Sequence, residues 1–194
     1  MINSPLDRGG WGVTQFNMIL FIGLGNPGKK YAKTRHNVGF FVAEKLREKL
    51  KLPEFNLEKK FKAEIAKNEN LILAKPQTFM NDSGEAVSSL YNFYKIDPTH
   101  LYLAHDDLDI PLGEYRVQKN KSSAGHKGAQ SVIDALGTQD FHRLRVGIRA
   151  ERSSQIPAEN FVLEKFTAEE EKIIFETIKK ALGEIIPMLK IKVH

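Results

Sequence analysis

The sequence predicts a single α/β domain built on a mixed, mostly parallel twisted sheet with helices on both faces. Short apolar runs typical of strands alternate with segments whose apolar residues recur at helical spacing, which is the order found in α/β proteins. The length of 194 residues suits one domain with a sizeable core, and neither a repeat nor a linker divides the chain. The composition, 41% hydrophobic and 27% charged, is that of an ordinary globular protein.

The first elements follow from the patterning of the N-terminal half. Residues 18–23 (MILFIG) form a short apolar run that ends in glycine, which predicts a buried central strand. A helix is expected to begin near Val38, because apolar residues then recur at helical spacing. Residues 61–67 and 70–75 predict two strands, and the polar residues 68–70 predict a hairpin turn between them.

The middle of the chain continues the alternation of helix and strand. Asp82 and Glu85 have the spacing of a capping box and predict a helix that begins there. Residues 100–104 (HLYLA) predict another buried strand, and the alternating residues 113–119 (GEYRVQK) predict a strand as well. Helical spacing resumes over residues 129–136.

The C-terminal part adds one strand and one helix. Residues 141–148 (FHRLRVGI) alternate and predict a strand, whereas residues 151–160 are polar and predict a loop. Thr167 and Glu170 form a second capping-box pattern, so the last helix is expected to begin there.

Composition and charge exclude several classes of site. The chain has no cysteine, which excludes disulfides, thiolate zinc sites, iron–sulfur clusters and a cysteine nucleophile. The net charge of +5 is compatible with nucleic-acid binding without demanding it. No apolar run is long enough to span a bilayer, and residues 1–17 lack the apolar core of a signal peptide. We expect a cytoplasmic protein with no membrane partner, in which residues 1–17 are a disordered extension of a domain spanning residues 18–194.

Four polar clusters carry the candidate chemistry, and each follows a predicted strand or opens a predicted helix. Ligand sites of open α/β sheets form beyond the carboxyl ends of the strands, so we expect these clusters to meet in one site. They cover residues 23–37, 75–86, 105–113 and 122–130.

Two familiar motifs fit these clusters poorly. Gly23, Gly25 and Gly28 match the dinucleotide-binding pattern G-x-G-x-x-G. Apolar helical spacing resumes only at Val38, however, so no helix N-terminus is placed to meet a pyrophosphate. A serine hydrolase is disfavoured because the chain has no G-x-S-x-G elbow, and Ser83 lies beside a predicted helix cap.

His36, Asp106 and Asn81 each have a structural and a functional interpretation. A histidine has an ordinary pKa of about 6.5 and can act as a base near neutral pH, but His36 alone is also typical of a surface loop. Asp106 could fix the tautomer of an imidazole or could be a turn residue. Asn81 could hold a peptide backbone through its amide or could cap the helix that follows it.

A zinc site is a further alternative. His36, His105, Asp106 and His126 are residue types that bind zinc. No pair of them has a recognised ligand spacing, and the histidines fall in separate segments. The sequence therefore disfavours a metal site without excluding it.

Taken together, the motifs resemble a known family, the bacterial-type peptidyl-tRNA hydrolases. The resemblance runs from about Met18 to the C-terminus and implies a monomeric α/β protein with no metal or other cofactor. It also implies hydrolysis of the ester that joins a peptide to the 3′-terminal ribose of tRNA. The motifs that carry it, in order, are GLGNPGKKYAKTRHNVGF (23–40), KPQTFMNDSGEAV (75–87), HDDLDIPLG (105–113), AGHKG (124–128) and FHRLRVGIR (141–149).

The resemblance implies roles for the residues at motif positions. His36 would be the catalytic base and Asp106 its orienting partner, and Asn26 would lie beside His36 and help to place the ester. Asn81 would bind the peptide backbone and help to position the water. The remaining substrate-binding positions that the resemblance implies are Tyr31 near the terminal nucleotide, Phe79, Met80, His126 at the rim of the cleft, and Lys127.

Lys127 departs from the family pattern. The family often has asparagine at this position and uses it to hold the substrate. Lysine can donate a hydrogen bond but cannot accept one, so we expect changed substrate affinity rather than lost activity.

Basic residues flanking the expected cleft are candidate contacts for tRNA phosphates. These are Arg116, Lys119, Arg143 and Arg145, of which the resemblance favours Arg145. An alternative is a catalytically silent RNA-binding protein on the same fold. A protein that only binds RNA has no need of a base and its orienting carboxylate, so the presence of both His36 and Asp106 favours the enzyme.

Overall fold

The structure, a computed structural model, describes residues 18–191. The expected N-terminal extension, residues 1–17, and residues 192–194 lie outside the described part of the chain. The described residues form a seven-stranded sheet with helices packed on both faces, which confirms the predicted fold class. No helix within residues 18–191 has both the length and the apolar character required to cross a bilayer.

The sheet is mixed, and its parallel strands lie in the middle. Its strands are β1 (Ile19–Gly23), β2 (Asn56–Glu58), β3 (Ala63–Lys67), β4 (Leu71–Pro76), β5 (Leu101–Pro111), β6 (Tyr115–Lys119) and β7 (His142–Arg149), and their spatial order is β2-β3-β4-β1-β5-β7-β6. Strands β4, β1, β5 and β7 pair in parallel, whereas β2, β3 and β6 run antiparallel to their neighbours. The carboxyl ends of the four parallel strands therefore meet at one edge.

Helices bury both faces of this sheet. They are α1 (Val38–Lys49), α2 (Ser83–Phe93), α3 (Lys127–Leu136), α4 (Ala158–Phe161) and α5 (Ala168–Met188). Helices α1 and α5 share a core cluster with one face, and α2 and α3 share a second cluster with the other. Phe21 of β1 belongs to the first cluster, and Leu20 and Ile22 belong to the second. Strand β1 is buried throughout, as its continuous apolar run predicts.

One of the two predicted capping boxes is present. At the start of α5, Thr167 Oγ1 accepts from the backbone N–H of Glu170 (3.2 Å), and Glu170 Oε2 accepts from the backbone N–H of Thr167 (2.8 Å). Helix α2 begins where predicted, but the Asp82 side chain makes no capping bond, so the predicted box is wrong. A 3₁₀ turn at Met80–Asp82 runs directly into α2 and gives Asp82 a φ of −111° and a ψ of 11°. A capping residue needs an extended backbone instead.

Two connecting segments also test the sequence prediction. The turn at residues 68–70 is confirmed, since Asn68 Oδ1 accepts from the backbone N–H groups of Asn70 (3.0 Å) and Leu71 (2.9 Å) between two antiparallel strands. The polar segment 151–160 is not a plain loop, because it contains a 3₁₀ turn and most of α4.

The largest difference from the sequence prediction concerns β5. We expected a strand at residues 100–104 followed by the polar cluster 105–113, but β5 continues through the acidic run to Pro111. Asp106 and Asp107 pair with β7 in parallel register before the register shifts. Their carboxylates therefore project from a rigid strand and not from a loop.

Gly84 allows α2 and α3 to approach closely. A Cβ atom built on Gly84 would lie 2.1 Å from the backbone oxygen of Ser131 in α3 and 2.8 Å from Cβ of Ala135. The backbone N–H of Gly84 also donates to Ser131 Oγ (2.9 Å). The segment that leads into α2 and the first residue of α3 line the cleft described below, so this contact sets the separation of two of its walls.

Replacing Gly84 with alanine is expected to destabilise the protein by about 1–3 kcal/mol. The added methyl group would collide with the backbone of α3, and this collision can be relieved only if the whole helix shifts. Equilibrium urea unfolding measures this change. The matched control is Gly183→Ala in α5, where a Cβ would meet nothing within 4 Å. That variant is expected to gain about 0.5–1 kcal/mol from helix propensity. Equal stability of the two variants would contradict the proposed close contact.

Candidate active site

A cleft of about 870 Å³ opens at the edge where the parallel strands end. Its walls come from the segment after β1, the segment before α2, the acidic run of β5, the start of α3 and the residues around α4. All the residues predicted to be catalytic or substrate-binding line it: Asn26, Tyr31, His36, Phe79, Met80, Asn81, Asp106, His126 and Lys127. The four arginines and lysines predicted to contact phosphates are not among its lining residues.

A buried histidine–carboxylate pair lies in this cleft. His36 Nδ1 is 2.9 Å from Oδ1 and 3.1 Å from Oδ2 of Asp106, and the two residues are 8% and 2% exposed. An ionised carboxylate can only accept, so Nδ1 carries the proton and donates it. Nε2 of His36 is then the unprotonated nitrogen. The pair therefore has the geometry of a general base with an orienting carboxylate.

His126 supplies a second hydrogen bond to the same carboxylate. The backbone N–H of Ala129 donates to His126 Nδ1 (3.1 Å), so this nitrogen carries no proton. The proton lies on Nε2, which is 3.0 Å from Asp106 Oδ1 and donates to it. We expected His126 at the rim of the cleft, but its side chain is only 7% exposed and lies against Asp106.

The electrostatics of the pair follow from burial and charge. Burial by itself lowers the pKa of His36, but the charge and the hydrogen bond of Asp106 outweigh it and raise the pKa above 6.5, against a smaller lowering by Lys127. Burial by itself raises the pKa of Asp106, but the two imidazoles outweigh it, so the pKa lies well below its usual range. Asp106 is therefore ionised whenever the protein is folded near neutral pH.

Asn26 connects the glycine-rich turn to the rest of the site. Its Oδ1 accepts from the backbone N–H of Met80 (2.9 Å), so it sets the position of the segment that enters α2. Asn37 holds the Asn26 backbone from both sides, with its Oδ1 2.8 Å from the Asn26 nitrogen and its Nδ2 3.0 Å from the Asn26 oxygen. Nδ2 of Asn26 has no hydrogen-bond partner among residues 18–191, and Asn26 lines the same cleft as His36, so this nitrogen is a free donor of the site. The role of Asn37 is not evident from its sequence context, because its partner Asn26 lies 11 residues away.

Arg35 is a second residue whose role the sequence analysis missed. It is fully buried next to His36, with its guanidinium 4.2 Å from the ring centre of Phe161. It donates to Glu170 Oε2 (2.6 Å) and to the backbone oxygen of Lys165 (2.9 Å). The backbone N–H of His36 donates to the oxygen of Val162 (2.8 Å). These contacts join the base to the wall around α4, and no local pattern reveals them because the partners lie far apart in the chain.

The opening of the cleft is apolar. Tyr31 and Phe79 meet edge to face with ring centres 6.5 Å apart, and Phe79 is 55% exposed. Leu163 on the opposite wall is also exposed. Asn81 is exposed beside Phe79, and its Nδ2 donates to Asp82 Oδ1 (3.1 Å). Exposed apolar surface of this kind is typical of a ligand-binding groove.

Lys127 brings a positive charge to the cleft. It is exposed, opens α3 and directly follows His126. Within the described part of the chain it has no ion-pair partner. Its charge is close enough to His36 to oppose protonation of the imidazole.

The predicted phosphate contacts fall into two groups. Arg116 and Lys119 of β6 are exposed, and Lys119 lies 3.3 Å from Asp140. We expected Arg143 and Arg145 at the surface as well, which is wrong, because both are buried. Alternation in β7 does not separate an exposed from a buried face, since this strand is covered on both sides. Contact with tRNA by any of the four stays a prediction.

The two buried arginines bind other parts of the site. Arg145 Nε donates to Asp107 Oδ2 (2.6 Å), and its Nη1 donates to Gln118 Oε1 (2.8 Å). Arg143 Nη1 donates to the backbone oxygen of Ser122 (2.8 Å) in the segment before α3. Burial, with Arg145 second, lowers the pKa of Arg143 to about 10. Both guanidinium groups therefore hold the acidic strand and the neighbouring segment in place.

The tautomers in this cluster oppose a metal ion. Ligating atoms of His36, Asp106 and His126 lie within 4.8 Å of one another, which suggests a metal site by spacing alone. A metal on His126 Nε2 would move the proton to Nδ1, which faces the N–H of Ala129. A metal on His36 Nδ1 would move that proton to Nε2 and remove the base. The donor set therefore does not fit a bound ion.

Comparison with known proteins shows the family of the chain. The family described as peptidyl-tRNA hydrolase matches residues 20–193. A peptidyl-tRNA hydrolase of Aquifex aeolicus is 47% identical over 166 residues, which cover 84% of this chain and 85% of that protein. One of Oceanobacillus iheyensis is 41% identical over 175 residues, covering 89% and 93%.

Solved structures give the same result. The crystal structure of peptidyl-tRNA hydrolase from Acinetobacter baumannii is 32% identical, covers 90% of each chain and has a TM-score of 0.81. A crystal structure of peptidyl-tRNA hydrolase with N-propanol is 34% identical, covers 87% of each chain and has a TM-score of 0.80. With the family match over nearly all of the described residues, these likenesses show that the chain belongs to the bacterial-type peptidyl-tRNA hydrolase family.

Proposed function

We propose that this protein hydrolyses the ester bond between the peptide and the 3′-terminal ribose of peptidyl-tRNA, which releases free tRNA and peptide for reuse in translation. The observation that carries the proposal is the buried His36–Asp106 pair, whose tautomer leaves Nε2 of His36 as a free base in the cleft. Family membership supplies the substrate class. A purely RNA-binding protein has no use for this buried pair.

The reaction follows from the positions of these groups. Nε2 of His36 takes a proton from a water molecule as the water oxygen attacks the ester carbon, and Asp106 stabilises the imidazolium that forms. Negative charge develops on the carbonyl oxygen, where Nδ2 of Asn26 is a free donor. When the intermediate collapses, the bond to the ribose oxygen breaks and His36 returns the proton to that oxygen. The base is then ready for another cycle.

Selectivity for the peptide would come from the open end of the cleft. Phe79, Met80 and Leu163 provide apolar walls for side chains of the peptide, and the exposed amide of Asn81 would bind its backbone. An unblocked aminoacyl-tRNA lacks the backbone amide that follows the first residue. The amide of Asn81 would then lack its partner, and this unpaired polar group would make the aminoacyl-tRNA a poorer substrate. Tyr31, edge to face with Phe79, would lie near the terminal nucleotide.

The nucleic acid would meet basic residues around the cleft. Lys127 and the exposed Arg116 and Lys119 would contact phosphates, while Arg143 and Arg145 would act from within by holding Asp107 and the segment before α3. Contact to the backbone suits an enzyme that must accept many tRNA sequences. We further propose that the protein acts as a monomer in the cytoplasm, where its substrate is formed.

Replacing His36 with alanine is expected to lower kcat by at least 10²–10⁴-fold, roughly the usual contribution of a general base. Release of free tRNA from an N-blocked aminoacyl-tRNA, in the presence of a chelator, measures this loss. Binding of tRNA should change little, because His36 is buried and the phosphate contacts lie elsewhere.

The same assay on the unblocked aminoacyl-tRNA serves as the control for substrate class, and slow cleavage is expected. If His36→Ala abolished tRNA binding and hydrolysis together, a binding or folding role would replace that of the base. If the wild-type protein bound tRNA tightly without cleaving either substrate, it would be an RNA-binding protein on a hydrolase fold.

The pH dependence of kcat/KM should show an acidic limb with its midpoint above pH 6.5, because the pKa of His36 is raised above that value. Below this pKa the imidazole is protonated and cannot accept a proton, so the rate falls about tenfold per pH unit. Rates across a series of buffers at constant ionic strength measure the midpoint.

Asp106→Asn tests the cause of this shift. Asparagine has the same shape but no charge, so the limb should move to lower pH while the rate at the plateau also falls. An acidic limb at the same pH in both proteins would show that another group controls it.

Replacing Lys127 with glutamine should weaken the salt dependence of tRNA binding. Each phosphate of a single strand that a lysine neutralises contributes about 0.7 to the slope of log K against log salt concentration, so the slope should become shallower by about that amount. Titration at several salt concentrations with a catalytically inactive His36→Ala background measures the slope. Lys180→Gln on α5, an exposed lysine that does not line the cleft, is the matched control. Equal slopes for the two variants would place Lys127 away from the nucleic acid.

A further inference from the structure

We propose that His126 is a positioning residue that fixes the Asp106 carboxylate and, through it, the catalytic base, rather than a residue that binds substrate. This inference rests on the proposed function, because it assigns His126 to the same base. It departs from the role that the family resemblance implies for this position. Three features of the structure carry it: the tautomer of the ring, its packing, and the sharing of one carboxylate oxygen.

The tautomer of His126 is set by helix α3. His126 is the N-cap of α3, and its Nδ1 accepts from the N–H of Ala129. A backbone N–H can only donate, so Nδ1 keeps its lone pair and Nε2 keeps the proton. The ring is therefore a fixed donor toward Asp106, and protonating Nδ1 would remove the cap of the helix.

Packing keeps the ring in this orientation. The ring centre of His126 lies 4.8 Å from that of His36 and 4.5 Å from that of His105. His105 is fully buried, and burial, with His126 second, lowers its pKa well below 6.5, so it adds no charge. The His126 ring is enclosed by two imidazoles, a carboxylate and its own helix. It cannot turn toward a substrate without losing both of its hydrogen bonds.

The carboxylate is shared between two donors. His36 Nδ1 and His126 Nε2 both approach Oδ1 of Asp106, at 2.9 Å and 3.0 Å. The second donor prevents rotation of the carboxylate away from His36, because rotation would break a bond to a ring that cannot follow. It also draws negative charge away from His36. The charged groups that act on His36 are Asp106, which raises its pKa, and Lys127, which lowers it. His126 would act on this pKa only through the Asp106 carboxylate that the two imidazoles share.

The backbone before His126 includes three residues in left-handed conformations. Asn120, Ala124 and Gly125 have φ values of +54°, +49° and +78°, which are left-handed conformations that cost energy for the two residues other than glycine. The N–H of His126 donates to the oxygen of Ser123 (3.0 Å). Asp106 therefore receives its second donor from a segment whose conformation is held by tertiary contacts.

Two substitutions separate the role of His126 as the cap of α3 from its role as a hydrogen-bond donor to Asp106. In His126→Asn, the amide oxygen stands where Nδ1 stood and keeps the cap, but no atom reaches Asp106. In His126→Ala, both are lost. We expect His126→Asn to lower the melting temperature, because the buried Asp106 charge loses a donor, but by less than His126→Ala, which also loses the cap. We expect it to lower kcat roughly 10- to 100-fold through misplacement of the base, and to leave KM within about twofold. His126→Ala should show the same loss of kcat and a melting temperature below that of His126→Asn.

The pKa of His36 gives a readout that a purely structural role would not move. With one donor removed, the Asp106 charge acts on His36 alone, and we expect the pKa of His36 to rise by about 0.5–1 unit in an NMR titration of its ring protons. His100→Asn, a histidine outside the cleft, is the matched control and should leave this pKa unchanged. A pKa that stayed the same or fell in His126→Asn would overturn the proposal.

The kinetic outcome is equally decisive. A loss confined to KM in His126→Asn would return His126 to substrate binding. The NMR titration needs no substrate, so it distinguishes failure of this inference from failure of the proposed function. If the wild type released no tRNA, the proposed function would fail, whereas the titration would still report whether His126 controls the electrostatics of His36.

Discussion

Asp106 places an ionised carboxylate inside strand β5, almost completely removed from water. A buried charge of this kind costs several kcal/mol unless it is fully hydrogen-bonded, so its partners have little freedom. They are two imidazoles, one from the 3₁₀ turn before α1 and one from the start of α3. The geometry of the cleft follows from this requirement. Each partner is itself held by backbone bonds, His36 through Val162 and His126 through Ala129.

The sheet makes this arrangement possible because its parallel strands end at one edge. The segments that follow β1 and β4 reach the same cleft as the acidic run of β5. Beneath them, Arg145 neutralises Asp107, the second carboxylate of that run. Because the charge of Asp107 is compensated by Arg145, Asp106 is the carboxylate that acts on His36. The base thus rests on a strand whose two carboxylates are both hydrogen-bonded, which is what a preorganised base requires.

Much of this molecule could be predicted from local patterns. Periodicity and turn chemistry suffice to predict elements whose residues lie close together in the chain. Examples are strand β1, the hairpin between β3 and β4, and the capping box of α5. The predictions that failed depended on distant partners. Strand β5 extends to Pro111 because β7 pairs with its polar half, and the buried Arg143 and Arg145 donate to partners in other segments of the chain. A local pattern contains no information on such partners.

The sequence by itself determined the fold class, the order of the elements and the set of motifs that meet in the cleft, because each of these depends on residue types at short spacing. Only the tertiary structure decided which nitrogen of each histidine carries the proton. It also decided that His126 faces Asp106, that Asn37 holds the Asn26 backbone and that Arg35 joins the base to the wall around α4. These contacts join residues from separate segments, and the direction of each hydrogen bond depends on a partner that sequence spacing cannot place.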